Sequence, residues 1–201
     1  MIAIIDYDAG NLKSVEKALL YLGGECKVTR EPEEIFNADK VILPGVGAFG
    51  DAMQKLRNYG LDSVIKKVVS ENKPFLGICL GLQLLFEGSD EAESEEGLKI
   101  LKGRIKAIPP KEGYKIPHMG WNSISIKEGS RLFKGIKDQS YVYFVHSYYL
   151  EAENKEDVAA ETEYIVNIHA SVEHDNIFAC QFHPEKSGDV GLSILRNFCE
   201  L

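Results

Sequence analysis

Apolar positions in the first half of the chain switch between two periods, short unbroken runs and stripes spaced three or four residues apart. Ile2 to Asp6 is a run that ends in Asp8-Ala9-Gly10-Asn11, and Leu12, Val15, Leu19 and Leu22 then form a stripe that stops at Gly23-Gly24. This pattern predicts a strand followed by a helix. Further strands are predicted at Cys26–Thr29, Val41–Leu43 and Phe75–Ile78, with helices from near Phe49, over Leu61–Val69 and over Leu80–Phe86. Phe75–Ile78 contains no strongly polar residue, as expected of a parallel strand covered on both faces.

The pattern changes after Phe86. Glu87, Asp90, Glu91, Glu93, Glu95 and Glu96 form an acidic stretch without an apolar period, which reads as a solvated loop or helix end rather than a metal site. Short alternating segments follow at Ile124–Ile126, Tyr141–Tyr149, Val158–Thr162, Ile165–Val172 and Ile177–Phe182, all read as strands, and a helix closes the chain over Ser187–Leu201. The expected fold class is α/β: a mostly parallel central sheet with helices on both faces and antiparallel additions in the second half. No repeat, low-complexity segment or linker divides the chain, so residues 1–201 are expected to form a single domain.

Composition narrows the function classes. The 201 residues are 44% hydrophobic, enough for a sizeable core, and 23 Lys and Arg against 31 Asp and Glu give a net charge of −8. Such a surface repels a phosphate backbone, so no nucleic-acid partner is expected. No apolar run approaches the roughly 20 residues needed to span a bilayer, and no membrane partner is expected. The four cysteines, Cys26, Cys79, Cys180 and Cys199, are far apart and form no CxxC pair, which reads as thiols in a reducing compartment. With no signal-peptide pattern before Asp6, a cytoplasmic location is expected.

Gly77-Ile78-Cys79-Leu80-Gly81 carries the sharpest chemical signal. A nucleophile between small residues, at a buried strand that turns straight into a helix, has the pattern of a nucleophile elbow. A buried structural cysteine in a tight turn is the alternative. His183-Pro184-Glu185 follows the strand ending at Phe182, which puts an imidazole at a strand end with a carboxylate two residues away to orient it. His146 reads as a structural or substrate-side residue, His118 as part of a turn at a surface or interface, and His169 and His174 as solvated. No three of these residues make a metal set, and no cofactor is expected. Pro44-Gly45-Val46-Gly47 can bring backbone N–H groups to a developing oxyanion, or can be only a tight turn. It lacks the Gly-Lys-Ser/Thr of a phosphate loop.

Together these passages resemble the class I glutamine amidotransferases, and within them the glutaminase subunits of imidazole glycerol phosphate synthase. The resemblance rests on Asp6–Leu12, Leu43–Gly50, Gly77–Phe86, Pro117–Asn122, Tyr143–Tyr148 and Gln181–Ser187, in the family's order. It implies that Cys79 is the nucleophile, His183 the base and later acid, and Glu185 the group that orients His183. It implies oxyanion donors at Leu80 and around Val46 and Gly47, and glutamine contacts at Gln83 and at the backbone of Ser147 and Tyr148. Asn11, His118, Met119 and Trp121 are implied on the side of a separate (β/α)8-barrel cyclase, which would form a heterodimer with this chain and receive its ammonia. A glutaminase serving a different ammonia-using synthase is the nearest alternative, followed by a thiol hydrolase of another class and a non-enzymatic binding subunit.

Overall fold

A computed structural model describes residues 1–201. The first half alternates β1 (Ile2–Ile5), α1 (Leu12–Tyr21), β2 (Cys26–Thr29), α2 (Pro32–Asn37), β3 (Lys40–Gly45), α3 (Phe49–Asn58), α4 (Leu61–Ser70), β4 (Phe75–Cys79) and α5 (Leu80–Leu84). The second half holds β5 (Gly88–Ser89), β6 (Ala92–Glu96), β7 (Gly103–Ala107), β8 (His118–Ile126), β9 (Ser140–His146), β10 (Tyr148–Ala152), β11 (Val158–Tyr164), β12 (Val166–His174) and β13 (Ile177–Cys180), and α6 (Gly188–Glu200) ends the chain.

The main sheet has nine strands in the order β2-β1-β3-β4-β13-β12-β11-β8-β9. The pairings from β2 to β13 are parallel, in the 2-1-3-4-5 order of flavodoxin-like sheets, and those from β13 to β9 are antiparallel. The expected parallel core with antiparallel additions is the architecture found. Strand alternation divides the core in two. Ile2, Ile4, Ile42, Leu76, Ile78 and Phe178 pack with residues of α1 and α6, such as Val15, Leu19, Ile194 and Phe198. Ala3, Ile5, Val41, Leu43, Phe75 and Ile177 pack on the opposite face with residues of α2 to α5.

Four readings of the pattern need correction. The acidic stretch is only in part a loop: Glu93, Glu95 and Glu96 lie on β6, which pairs with β5 in a hairpin turned at Asp90–Glu91, within a second sheet ordered β10-β7-β5-β6. Its charges are held by basic neighbours, Asp90 by Arg104 at 2.9 Å, Glu95 by Arg57 at 2.6 Å and Glu96 by Lys99 at 2.5 Å. Tyr141–Tyr149 is not one strand but two, because the chain leaves the main sheet at Ser147 and joins the second sheet as β10. His118 lies within β8 rather than in a turn, and His169 is buried rather than solvated, its Nδ1 accepting from the Ala152 amide at 2.9 Å. His174 is exposed, as expected. Two elements escaped the pattern: α2, which buries only Ile35, and β7, a Gly-Arg-Ile-Lys-Ala segment with Ile105 buried.

Candidate active site

Strand β4 enters α5 without an intervening residue, so Cys79 ends the strand and caps the helix at φ 55°, ψ −108°. A side chain other than glycine held there stores strain, and such strain gathers at functional turns. The flanking glycines explain how the turn closes. A Cβ on Gly77 would lie 2.7 Å from the Gly81 carbonyl oxygen, and a Cβ on Gly81 would overlap the Leu43 carbonyl. The elbow therefore closes only because both positions lack side chains.

His183 follows β13, the parallel neighbour of β4. Its backbone N–H donates to the Tyr143 carbonyl of β9 at 2.9 Å, so the antiparallel end of the sheet reaches back over the parallel strand ends. Ser187 locks this corner: its hydroxyl donates to the His183 carbonyl at 2.6 Å and accepts from the Tyr143 amide at 2.9 Å. Pro184 begins a single helical turn that brings Glu185 under the imidazole, with Nδ1 and Oε1 2.8 Å apart and side chains 2% and 1% exposed. An ionised carboxylate only accepts, so the proton sits on Nδ1. Nε2 is buried with no hydrogen-bond partner. Burial disfavours the imidazolium, but Cys79 and Glu185 outweigh it and push the His183 pKa up. No hydrogen bond joins His183 to Sγ, so the influence of Cys79 is one of proximity and charge.

Cys79, His183, Val46, Gly47, Leu80, Gln83, Ser147 and Tyr148 all line one cavity of about 360 Å³. Glu185 stands behind His183. The strand switch at Ser147 carries the chain over the cavity, so the wall exists only because one segment joins two sheets. Residues that the sequence reading missed also border it. Glu91 lines the cavity, and its Oε2 accepts from the Phe49 amide at 2.9 Å; His146, read above as structural or substrate-side, lines it too. Nothing in the acidic stretch distinguishes Glu91 from its neighbours; only the hairpin turns it inward. Gln181 also escaped assignment, although it is fully buried and donates through Nε2 to Sγ at 3.6 Å. Tyr7 is a third case: its buried hydroxyl has no partner, and burial and the nearby Cys79 raise its pKa. No group of three or more His, Cys, Asp or Glu side chains is placed to hold a metal ion.

The expected interface residues separate. Met119 and Trp121 are 64% and 55% exposed on β8, and the strand register puts Tyr141, 60% exposed, on the same face. Asn11 caps α1 and is half-buried. His118 must be removed from the surface set: it is buried, stacked on Phe144 at 4.8 Å and on Tyr164 at 4.0 Å. Its Nδ1 faces His146 Nε2 at 3.0 Å, and His146 Nδ1 faces the Tyr148 carbonyl at 2.8 Å. A carbonyl only accepts, so each Nδ1 carries a proton and each Nε2 is bare. Burial pushes the two pKa values down, to about 4 for His118 and about 3 for His146.

Residues 3–201 match the family described as glutamine amidotransferase class-I. The chain belongs to that family. This amidotransferase is 55% identical, over 100% of its length and 98% of the relative's, to the imidazole glycerol phosphate synthase subunit HisH of Caldanaerobacter subterraneus subsp. tengcongensis. The HisH of Methanothermobacter thermautotrophicus is 51% identical over the same shares. A crystal structure described as a glutamine amidotransferase superposes with a TM-score of 0.77 over 100% of this chain and 98% of that one. PurLQS from Thermotoga maritima gives 0.76 over 99% and 97%. Both are 19% identical to the amidotransferase, so this likeness establishes its fold alone.

Proposed function

We infer that the chain is the glutaminase subunit of imidazole glycerol phosphate synthase, releasing ammonia from glutamine for a separate cyclase subunit in histidine biosynthesis. The observation that carries this reading is the buried His183–Glu185 pair, whose unpartnered Nε2 belongs to the same cavity wall as Cys79. Identity of 51–55% with HisH proteins over the full chain supports the choice of synthase.

His183 Nε2 takes the proton of the Cys79 thiol, and the resulting thiolate attacks the side-chain amide carbon of glutamine, forming a C–S bond and an oxyanion. Backbone N–H groups of Leu80 and the Val46–Gly47 loop stabilise that oxyanion. His183 passes its Nε2 proton to the leaving nitrogen, so the C–N bond breaks to ammonia and a γ-glutamyl thioester. His183 then takes a proton from water, the hydroxide attacks the thioester, and the thiolate leaves as glutamate forms. Throughout, Glu185 holds Nδ1–H and keeps Nε2 available to the reacting atoms. Glu91 supplies negative charge for the substrate ammonium. Gln83 and the Ser147–Tyr148 backbone complete the wall around the amino-acid end.

Ammonia that escapes into water is protonated and lost to a synthase, so release should occur against the consuming subunit. Met119, Trp121 and Tyr141 provide an exposed apolar face for that contact, with Asn11 as a further contact. We assign it to the (β/α)8-barrel cyclase, in a heterodimer in the cytoplasm. The test is glutamate release by the purified chain, alone and with the cyclase and its nucleotide substrate. Release that rises in the mixture and vanishes in Cys79→Ala is expected. Release without stimulation overturns the choice of synthase, and no release under any condition overturns the glutaminase.

A further inference from the structure

Cys79 has a neighbour that the steps above leave unused. Gln181 and His183 flank Phe182 on the strand end; alternation turns Phe182 into the core and directs the other two toward Cys79. The Gln181 backbone N–H is fixed to the Ala170 carbonyl at 2.8 Å.

The amide orientation follows from one backbone atom. The Tyr148 carbonyl cannot donate, so Gln83 must present its Nε2 to it, at 3.2 Å. That same Nε2 lies 3.1 Å from Gln181, and its second proton requires an acceptor there, so Gln181 presents Oε1. The remaining end of Gln181 is the NH2 group, 3.6 Å from Sγ. A flip of Gln181 would face NH2 against NH2 and oxygen against sulfur. The Tyr148 carbonyl also accepts from His146, which is backed by His118, so the reference atom is itself held from both sides.

We propose that Gln181 is a further member of the catalytic apparatus, a neutral donor locked by Gln83 that holds the Cys79 sulfur in line and favours its ionised form. This rests on the glutaminase reading for its purpose but not for its test. A thiol is a weak acceptor and a thiolate a strong one, so a fixed N–H favours ionisation. The amide does this without adding charge. A second cation would compete with His183 for the role of proton donor, and a carboxylate would repel the thiolate. The Val145 carbonyl, 4.0 Å from Sγ, can accept a hydrogen bond from the thiol but cannot support the thiolate. The titratable groups around the sulfur are His183 with Glu185 behind it, Tyr7 from the loop after β1 and Cys180 from β13. None of them replaces the amide as a neutral donor with a fixed orientation.

The test compares the full-length wild type, Gln181→Met and Gln181→Glu by the pH dependence of iodoacetamide alkylation, read at Cys79 by peptide mass spectrometry. Methionine keeps the length and removes the donor; glutamate keeps the shape and turns an anion toward the sulfur. The alkylation midpoint should rise by about one pH unit in Gln181→Met and by more in Gln181→Glu. With glutamine, kcat should fall by about tenfold in Gln181→Met with KM within about twofold, since the lost contact is to the nucleophile. A midpoint unmoved in a cooperatively unfolding Gln181→Met overturns the proposal, as does a Gln181→Glu midpoint no higher than that of Gln181→Met. If one variant fails to unfold cooperatively, the other is judged against wild type. Alkylation needs no turnover, so a wild type that does not hydrolyse glutamine refutes the functional reading and leaves this result interpretable.

Discussion

Glu185→Gln isolates what the carboxylate contributes, because it changes charge with almost no change in shape. The contact it alters is a 2.8 Å bond between side chains 2% and 1% exposed, so water screens little of it. A hydrogen bond to a charged group contributes about 1.5–3 kcal/mol and a neutral one about 0.5–1.5. The increment lost as His183 becomes imidazolium is therefore about 1–1.5 kcal/mol, roughly a tenfold fall in kcat/KM. That is the smallest effect expected. If the new amide turns its NH2 group to Nδ1, the imidazole proton moves to Nε2 and the base is lost altogether. Stability carries a second signature. The folded-state pKa of His183 lies above its ordinary value, so its contribution is fully present below about pH 6.5 and is lost as pH rises through the folded value. The unfolding free energy of wild type should exceed that of Glu185→Gln most near pH 6, and the gap should narrow into the alkaline range. Glutamate release and urea unfolding at pH 6, 7.5 and 9 measure both quantities. Activity within about twofold of wild type, or a stability gap that widens with pH, refutes the reasoning.

Other substitutions probe the remaining parts of the site. Gly81→Ala forces a methyl group into the Leu43 carbonyl, and thermal unfolding should show a loss of about 3 kcal/mol, or roughly 6–12 °C in Tm. Glu91→Gln removes the anion assigned to the substrate ammonium, so KM for glutamine should rise by about tenfold with kcat little changed; an unchanged KM removes Glu91 from substrate binding. Trp121→Ala truncates an exposed ring, so Tm and glutaminase activity without partner should hold, while titration against the cyclase should show affinity about 30-fold weaker. Equal affinity would place the partner on another face.

The buried part of the site is polar but well connected. From Sγ, bonded groups run through Gln181 and Gln83 to the Tyr148 carbonyl, then through His146 to His118 and Asn122 on β8. Polar groups kept from water need partners, and here each partner also fixes the next group's orientation. The exceptions are the unpartnered atoms of Tyr7 and His183, which feel the charge of Cys79, and of Glu185, which holds His183. Unpaired polar atoms are thus concentrated where charge develops during the reaction.

Periodicity alone located the parallel strands and all of their helices except α2, because burial on one or both faces dictates the spacing of apolar residues. The elbow was legible for a local reason: Gly77, Cys79 and Gly81 are adjacent along the chain and their steric demands act over a few residues. His183 and Glu185 were legible for the same reason, being separated only by Pro184. The break at Ser147 was not, since a polar His146 within Tyr141–Tyr149 does not by itself end a strand and only pairing with β7 moves the chain into another sheet. Glu91 was indistinct because its charge matched that of its neighbours, and what separates it is the direction in which the β5–β6 hairpin points it. His118 read as a turn residue because its stacking partners, Phe144 and Tyr164, are distant in sequence. Gln181 stood in a passage that carried the family resemblance but had no role there, since an amide acquires one only from what fixes its two ends. The sequence by itself determined the elements and the adjacent pieces of the site, which depend on short-range sterics and burial. Which polar side chains meet around the sulfur was decided by long-range pairing, because direction and partnership come from segments that the chain order keeps apart.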